Sequence, residues 1–330
     1  MGTSLRVPRG VSFRGCERWR FTYPPAEWKD DAPSALRALW LARNFRPLPA
    51  IRGRLGLTTT EDATVTPVVL GGVRGGPEVP TLRRDTWWVL PVVTATVLTL
   101  FVGYATWAAF SNKDYYAGAS LHRNLISPFY SPCLTASCVP GSHPGTIITW
   151  WTVSPALLIL IFPLGFRLTC YYYRKAYYRS FWLSPPSCSV ADAHGSYTGE
   201  ARFPLIFQNI HRYFFYAGLV FNVILTIDVV VAFEQPGQGI GISVGTVVLL
   251  INAVLLWLYS LSCHACRHLC GGGVKQFSKH PIRHKIWQTL TPLNARHMQF
   301  AWMSLVFVAL TDLYVRLVAS GVIHDAGFHF

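Results

Sequence analysis

Five long apolar runs, separated by polar and basic segments, dominate the hydropathy pattern of this chain. An α-helix needs about 20 apolar residues to cross about 30 Å of hydrocarbon. Backbone polar groups in lipid must be hydrogen-bonded internally, so helices are expected. Pro91, Pro155 and Pro163 are expected to kink the first two spans. The pattern therefore predicts an all-α integral membrane helical bundle with five transmembrane helices, at residues 86–110, 146–166, 210–233, 240–262 and 298–320.

The first 80 residues differ from the rest because they are rich in Arg, Pro and Gly and lack sustained periodicity. They also lack the apolar stretch of a secretory signal. We therefore predict an N-terminal cytoplasmic segment at residues 1–80, disordered or associated with the membrane surface. Residues 81–330 form the predicted five-helix anchor domain.

Composition supports the membrane assignment. Of the 330 residues, 51% are hydrophobic and only 13% are Asp, Glu, Lys or Arg, whereas soluble domains carry about 25% charged residues. The chain nevertheless has 29 Lys and Arg against 15 Asp and Glu, a net charge of +14. A nucleic-acid-binding protein would gather such charge on a folded module with a recognition motif, and the sequence shows none.

The basic residues alternate with the predicted spans. Residues 1–85 hold 14 of them, and residues 167–212 and 267–296 hold 6 each, so 26 lie on one side of the membrane. Only Lys113, Arg123 and Arg316 lie elsewhere. The positive-inside rule places the basic side in the cytoplasm. It predicts a multi-pass protein of a bacterial plasma membrane with a cytoplasmic N-terminus and an outer C-terminus.

Cysteine and histidine are concentrated at the basic end of the fourth span, in the segment SCHACRHLCGGG at residues 262–273. If this segment is helical, its three cysteines share one face and its two histidines the adjacent face. Thiolates and imidazoles suit zinc or an iron–sulfur cluster. The five residues are Cys263, His264, Cys266, His268 and Cys270.

Three further candidates reach the same membrane face by helix order alone. Cys170 follows the second span, His211 begins the third and His297 precedes the fifth. Two interpretations stay open at this stage: a metal or redox site, or interfacial histidines beside small buried thiols.

Two acids lie well within the spans, Asp228 and Asp312, and Arg316 follows Asp312 by four residues. A carboxylate inside a membrane is costly and suggests function. The spacing also allows a structural ion pair along one helix. In the outer loop, Cys133 and Cys138 are either a disulfide or two free thiols.

Several long motifs resemble one family, the membrane-anchor, cytochrome b-like subunit of actinobacterial succinate dehydrogenase/fumarate reductase (respiratory complex II). They are FRLTCYYYRKAYYRSFWLSPPSC at residues 166–188, TGEARFPLIFQNIHRYFFY at 198–216 and SCHACRHLCGGG. Residues 127–133 and 296–321 fit as well. The resemblance covers the chain from about residue 81 onward.

The resemblance implies an anchor that holds a flavoprotein subunit and an iron–sulfur subunit on the cytoplasmic face, with a small further membrane subunit allowed. Electrons from succinate then pass to menaquinone. One branch of the family carries a Rieske-type [2Fe–2S] cluster in the anchor, where others carry haem b. The implied ligand candidates, in decreasing order, are Cys263, Cys266, His211, His268, His264 and Cys170.

Two alternatives to the cluster stay open. A haem b would use His211 with His264, His268 or His297 opposite, and a purely structural anchor would hold zinc at the Cys/His group. No nucleotide-binding glycine motif is visible, so succinate oxidation itself is expected in another subunit. A transporter is disfavoured because the sequence shows no clear internal repeat.

A quinone site needs hydrogen-bond donors and a route for protons. The cytoplasmic half offers Arg174, Tyr177, His211 and His297, and the outer half offers Asp228, Asp312, Tyr314 and Arg316.

Overall fold

A computed structural model describes residues 84–142, 145–190, 193 and 205–330. The predicted N-terminal segment lies outside the described residues. The described part of the chain is mostly helical, as predicted. Its helices are α1 (Val89–Ser111), α2 (Pro155–Ile159), α3 (Ile161–Leu168), α4 (Tyr171–Tyr177), α5 (His211–Ala232), α6 (Val244–Leu261), α7 (His264–Gly271), α8 (Pro281–Ala295) and α9 (His297–Ala319).

Within the described residues, four helices are long and apolar enough to cross a membrane: α1, α5 with the turn before it, α6 and α9. This confirms an all-α membrane bundle, but not the count of five. The predicted second span is two short helices, α2 and α3, joined at Leu160. Pro155 opens α2, and Pro163 lacks the N–H that a continuous helix would need. Together the two helices rise only about 21 Å at about 1.5 Å per residue.

Helix α9 is the centre of the bundle, and it packs against α6 and α1 while α5 packs against α6 and α3. A layer of polar residues lies at each end of this bundle, and we call these layers the Cys/His end and the Asp312 end. The Cys/His end comprises the starts of α5 and α9, the end of α6 and the α3–α4 junction. The Asp312 end comprises the last turns of α1 and α9 and the loop after α1.

Short strands close the Asp312 end. Strands β1 (Tyr116–Ala117) and β2 (Leu125–Ile126) pair antiparallel, and β3 (Glu234–Gln235), β4 (Gly239–Ser243) and β5 (Gly327–His329) form a three-stranded antiparallel sheet in that order. The fourth predicted span began at residue 240, but residues 239–243 are strand, and the helix begins at Val244. Ser243 caps it by accepting a hydrogen bond from the Thr246 backbone N–H at 3.2 Å.

A buried carboxylate ties the last strand to this sheet. Asp325 accepts hydrogen bonds from Arg123 Nε at 2.6 Å, Tyr314 hydroxyl at 2.7 Å and the Gly245 backbone N–H at 2.8 Å. Burial acts against ionisation, but these donors hold the pKa of Asp325 below its usual value. In the loop between β2 and α2, Cys133 and Cys138 form a disulfide.

Asp312 and Arg316 form a buried ion pair at the Asp312 end. Asp312 has no exposed surface, and Arg316 Nε lies 2.8 Å from its Oδ2. The carboxylate also accepts hydrogen bonds from the hydroxyls of Tyr104, at 2.5 Å, and Ser127. The guanidinium further donates to the Ala108 carbonyl at 3.0 Å. One pair therefore joins α9 to α1 and to the following loop.

We expect Arg316→Met to destabilise the protein by about 3–5 kcal/mol, because it leaves the Asp312 carboxylate buried and without its cation. Tyr104→Phe is the matched control. It removes one hydrogen bond to the same carboxylate and should cost about 1.5–3 kcal/mol. Thermal unfolding of both variants in detergent measures the difference, and an Arg316→Met protein as stable as the parent would contradict the structural role.

Candidate functional site

Four candidate ligands from four different elements meet at the Cys/His end. Cys170 lies between α3 and α4, His211 begins α5, Cys263 lies between α6 and α7, and His297 begins α9. Cys170, His211 and Cys263 are buried, and His297 is half-buried. The two thiols belong to one apolar core cluster and are close enough to interact electrostatically, as are the two imidazoles.

The four groups form two thiol–imidazole pairs. His211 Nε2 lies 3.1 Å from Cys263 Sγ, and His297 Nε2 lies 3.3 Å from Cys170 Sγ. In each pair the sulfur and the nitrogen come from helices far apart in sequence. The helix order that the hydropathy pattern predicts is what brings them together.

Two buried hydroxyls decide which nitrogen of each imidazole carries a proton. Thr169 Oγ1 donates to the Gly165 carbonyl at 2.7 Å and lies 2.8 Å from His211 Nδ1. Ser262 Oγ donates to the Tyr259 carbonyl at 3.0 Å and lies 2.8 Å from His297 Nδ1.

A hydroxyl has one proton, and each of these protons is used on a carbonyl. With the hydroxyl proton on the carbonyl, the hydroxyl oxygen accepts from the imidazole, and this arrangement places the ring proton on Nδ1 of both His211 and His297. The lone pair on each Nε2 is then free and directed at a sulfur. This is the arrangement that metal-binding histidines use, with the distal N–H held by a second group.

Aromatic rings enclose the two pairs. Phe166 stacks on the His211 ring with centroids 5.2 Å apart, and Tyr259 stacks on the His297 ring with centroids 5.1 Å apart. The Tyr259 hydroxyl lies near the Cys170 sulfur but has no hydrogen-bond partner at normal distance in the described part of the chain. A buried hydroxyl without an acceptor is costly, so this atom suggests an acceptor that the free thiol does not supply.

The remaining members of the predicted Cys/His group do not join these pairs. Cys266 is buried but faces Cys270. His264 and His268 are exposed, and His268 Nδ1 lies 2.5 Å from the Arg212 guanidinium. Across the described residues, no three or more His, Cys, Asp or Glu side chains are positioned as a ready metal site. The structure thus shows two pairs rather than an assembled four-ligand centre.

The predicted quinone-site residues lie in three separate places. At the Cys/His end, the Arg174 guanidinium packs against Tyr171 and Tyr178, and the Tyr177 hydroxyl accepts a hydrogen bond from Gln208 at 3.2 Å. His211 and His297 belong to the thiol–imidazole pairs. At the Asp312 end, Asp312 and Arg316 are fully engaged with each other and with α1, and Tyr314 donates to Asp325. Asp228 interacts with Ser131, and its Oδ2 is buried without a hydrogen bond.

Arg167, which is not among the predicted site residues, lies between the two polar layers. Its guanidinium donates to the Tyr173 hydroxyl at 2.7 Å and to Ser304 Oγ at 3.2 Å, and it lies 4.7 Å from the Tyr259 ring centroid. No described carboxylate pairs with it. In the sequence it is the first residue of the basic segment 167–212, one residue beyond the second predicted span, so its position gave no signal of a place inside the bundle.

The comparisons with known proteins agree with the motifs. The profile of the family described as actinobacterial succinate dehydrogenase subunit SdhC matches residues 89–321. A chain of the Mycobacterium smegmatis Sdh1 complex in the apo form is similar, with 50% identity and a TM-score of 0.70. The match covers 76% of this chain and 94% of that chain. No curated protein matches this chain.

The family profile spans well over half of the chain, and it includes α1, all four elements that supply the thiol–imidazole pairs, and the Asp312–Arg316 pair. With several apolar helices long enough to cross a bilayer, the protein is a multi-pass membrane protein. The chain belongs to the actinobacterial SdhC family and is a membrane-anchor subunit of succinate dehydrogenase.

Proposed function

We propose that this anchor relays electrons from the iron–sulfur subunit of succinate dehydrogenase to menaquinone through a [2Fe–2S] cluster held by Cys170, Cys263, His211 and His297. The two buried thiol–imidazole pairs carry this proposal. Three of these ligands, Cys170, Cys263 and His211, are among the six candidates that the sequence suggested. His297 takes the place of the other three candidates.

The residues present fit the donor chemistry of such a cluster. A Rieske-type centre takes two thiolates on one iron and two imidazoles on the other. Both imidazoles have a free Nε2 lone pair in the tautomer that donates from Nδ1 to Thr169 or Ser262. Backbone N–H groups of the following turns face both sulfurs, at Ala265 for Cys263 and at Tyr172 and Tyr173 for Cys170. These donors stabilise thiolate over thiol.

The orphaned Tyr259 hydroxyl also fits a bound cluster. A metal-bound thiolate is a far better acceptor than a thiol, so the hydroxyl beside Cys170 would gain the partner that it lacks. When bound, the cluster would supply one-electron transfer inside the membrane. The chain itself would hold the ligands, fix their tautomers and exclude water with Phe166 and Tyr259.

Two alternatives share the same residues. A tetrahedral zinc ion also accepts two thiolates and two imidazoles, which would make the anchor structural. A haem b would need both imidazoles on opposite faces of one iron. The direction of both Nε2 atoms toward sulfur favours a centre with mixed ligands over haem.

We further propose that the basic side of the anchor faces the cytoplasm and docks the flavoprotein and iron–sulfur subunits. The charge count supports this: the positive-inside rule predicts that 26 of the 29 basic residues lie on one side, the side on which the sequence also predicts the Cys/His segment. Succinate oxidation belongs to the docked subunits, so this chain supplies binding, electron relay and quinone access.

Cys263→Ser in the whole complex should abolish the cluster, because a hydroxyl replaces a thiolate ligand. Electron paramagnetic resonance of the reduced complex, with iron and sulfide analysis, measures the loss. Cys270→Ser, on the helix that Cys263 precedes, is the control and should retain the signal. A parent complex with zinc and no additional cluster signal would contradict the proposal, and an α-band near 560 nm would indicate haem.

Thr169→Val removes the acceptor that fixes the His211 tautomer while keeping the side-chain shape. We expect a 10–100-fold loss of metal affinity, the usual effect of removing such a partner. Thr169→Ser keeps the hydroxyl and should restore the parent value. Cluster retention during titration with a chelator measures the affinity, and equal retention in Thr169→Val and the parent would refute the tautomer argument.

A reporter fused to the C-terminus tests the orientation. Alkaline phosphatase folds only outside the cytoplasm, so its fusion after Phe330 should be active, and a fusion in the loop at residues 273–280 should be inactive. The reverse pattern would overturn the proposed sidedness.

A further inference from the structure

The three-stranded sheet at the Asp312 end turns the apolar side of its central strand outward. Along β4, Gly241 and Ser243 are buried, whereas Ile240 and Ile242 are exposed. A strand at a water-covered surface shows the opposite order, with its apolar residues toward the core. The apolar side of β4 therefore needs a non-aqueous cover that the described residues do not supply.

The neighbouring strand extends the same apolar surface. Ile242 is paired with Phe328 of β5, and the Phe330 backbone N–H donates to the Ile240 carbonyl at 2.9 Å. Side chains alternate between the two faces of a sheet, so both phenylalanines lie on the side of the two isoleucines. We call these four residues the apolar sheet face, and their exposed fractions are 65% for Ile240, 40% for Ile242, 79% for Phe328 and 83% for Phe330.

The helix that continues β4 is short for a membrane span. Helix α6 has 18 residues and rises about 27 Å at about 1.5 Å per residue, whereas the hydrocarbon layer is roughly 30 Å thick. The end of α6 is close to the level at which α9 begins, because Ser262 Oγ lies 2.8 Å from His297 Nδ1. The missing length therefore falls at the start of α6, where β4 lies.

The contacts of Asp325 give the level of that start. The Gly245 N–H and the Tyr314 hydroxyl both donate to Asp325 Oδ1, at 2.8 Å and 2.7 Å, so α6 begins close to the level of Tyr314. Helix α9 continues from there to Ala319, which adds five residues or about 7.5 Å. Strand β4 thus lies at the depth of the last turns of a membrane-spanning helix.

The backbone of β4 is satisfied on both sides, as contact with hydrocarbon requires. The strand is the central one of its sheet, between β3 and β5. The Gly241 N–H donates to the Phe233 carbonyl at 2.9 Å, and the Ile240 carbonyl accepts from Phe330. The two edge strands are only two and three residues long. This sheet can therefore meet lipid without presenting a long open edge to it.

The apolar sheet face adjoins apolar helix surface that is exposed in the same way. The residue directly after β4 begins an exposed apolar stripe along α6, with members three or four residues apart: Val244, Val247, Ile251 and Val254. In a membrane-spanning bundle such a stripe faces lipid. The strand and the helix thus offer consecutive apolar surfaces to one solvent.

A charge marks the rim of the face. Glu234 of β3 is paired with Ile240 and is exposed on the same side of the sheet. A carboxylate is costly in hydrocarbon, so the membrane boundary lies near Ile240, and Ile242 lies deeper because it is closer to α6.

The opposite face of the sheet is polar. Gln235 is buried there and accepts a hydrogen bond from Arg123 at 3.2 Å. The sheet therefore has an apolar outer face and a polar inner face over the Arg123–Asp325 pair, which is the layering expected between lipid and a buried ion pair.

We propose that the apolar sheet face inserts into the membrane leaflet at the Asp312 end and is covered by lipid, with Ile242 and Phe328 among the acyl chains. Ile240 and Phe330 lie at the level of the headgroups, beside Glu234. The sheet thereby completes the short α6 span and separates the Arg123–Asp325 pair from lipid.

Photo-crosslinking in the whole complex identifies what covers the face. Phe328→p-benzoylphenylalanine introduces a ketone that, under light, inserts into nearby C–H bonds. In nanodiscs of dioleoylphosphatidylcholine we expect lipid adducts on the β5 peptide, detected by mass spectrometry. His329→p-benzoylphenylalanine is the matched control, because it lies on the same strand with the opposite direction, and it should give about tenfold less lipid adduct.

The other possible covers give different products. Adducts between Phe328→p-benzoylphenylalanine and a second copy of this chain, or another subunit, would overturn the proposal and show a protein interface. An absence of adducts at this position would also overturn it, since the face would then lie in water.

A second pair of variants does not depend on the crosslinker. Phe328→Asp places a carboxylate among acyl chains, whereas His329→Asp does not. We expect a lower unfolding temperature of the anchor in the same nanodiscs for Phe328→Asp alone. Equal unfolding temperatures for the two variants would contradict insertion of the face.

Discussion

The cost of burying polar groups away from water controls this structure. A membrane interior offers no solvent to satisfy a charge, a thiol–imidazole pair or an orphan hydroxyl. The chain therefore gathers polar side chains in two layers, and polar groups between these layers, such as Arg167, Asn222 and Ser260, form hydrogen bonds with neighbouring helices. Each layer is satisfied almost entirely by side chains from other helices, so the polar contacts also fix how the helices pack.

The Asp312 end shows the structural use of this constraint. The Asp312–Arg316 pair lies along one helix turn, but its remaining hydrogen bonds reach α1 and the loop that follows it. A second buried pair, Arg123–Asp325, ties the C-terminal strand to the loop after α1. Both pairs are saturated, which leaves little capacity for a ligand and explains why this end closes the bundle.

The Cys/His end uses the same constraint differently. Its imidazoles are held by hydroxyls whose own protons are committed to backbone carbonyls, so the ring nitrogens that remain are directed at sulfur. Both imidazoles have a partner at each ring nitrogen, whereas the Tyr259 hydroxyl beside Cys170 has no hydrogen bond of normal length to any described residue. The Arg167 guanidinium, between the two layers, likewise bonds only neutral acceptors among the described residues.

Sequence alone determined the membrane class, four of the spans to within a few residues, and the side on which the ligand candidates gather. Those features follow from local hydropathy and from helix order, which need no tertiary information. The sequence predicted kinks at Pro155 and Pro163, but it did not predict that the second span would divide into two short helices. The sequence also favoured Cys266, His264 and His268 as ligands, because they lie within five residues of Cys263 along the chain.

The tertiary structure alone decided which ligands pair, because pairing depends on the rotation of each helix about its axis. Near α7, only Cys263 faces the bundle centre toward the imidazole of His211, while His264 and His268 face outward. The same rotations brought Thr169, Ser262, Tyr259 and Arg167 into their roles. A one-dimensional pattern records how far along a helix a residue lies, and packing against several neighbours determines the direction in which its side chain points.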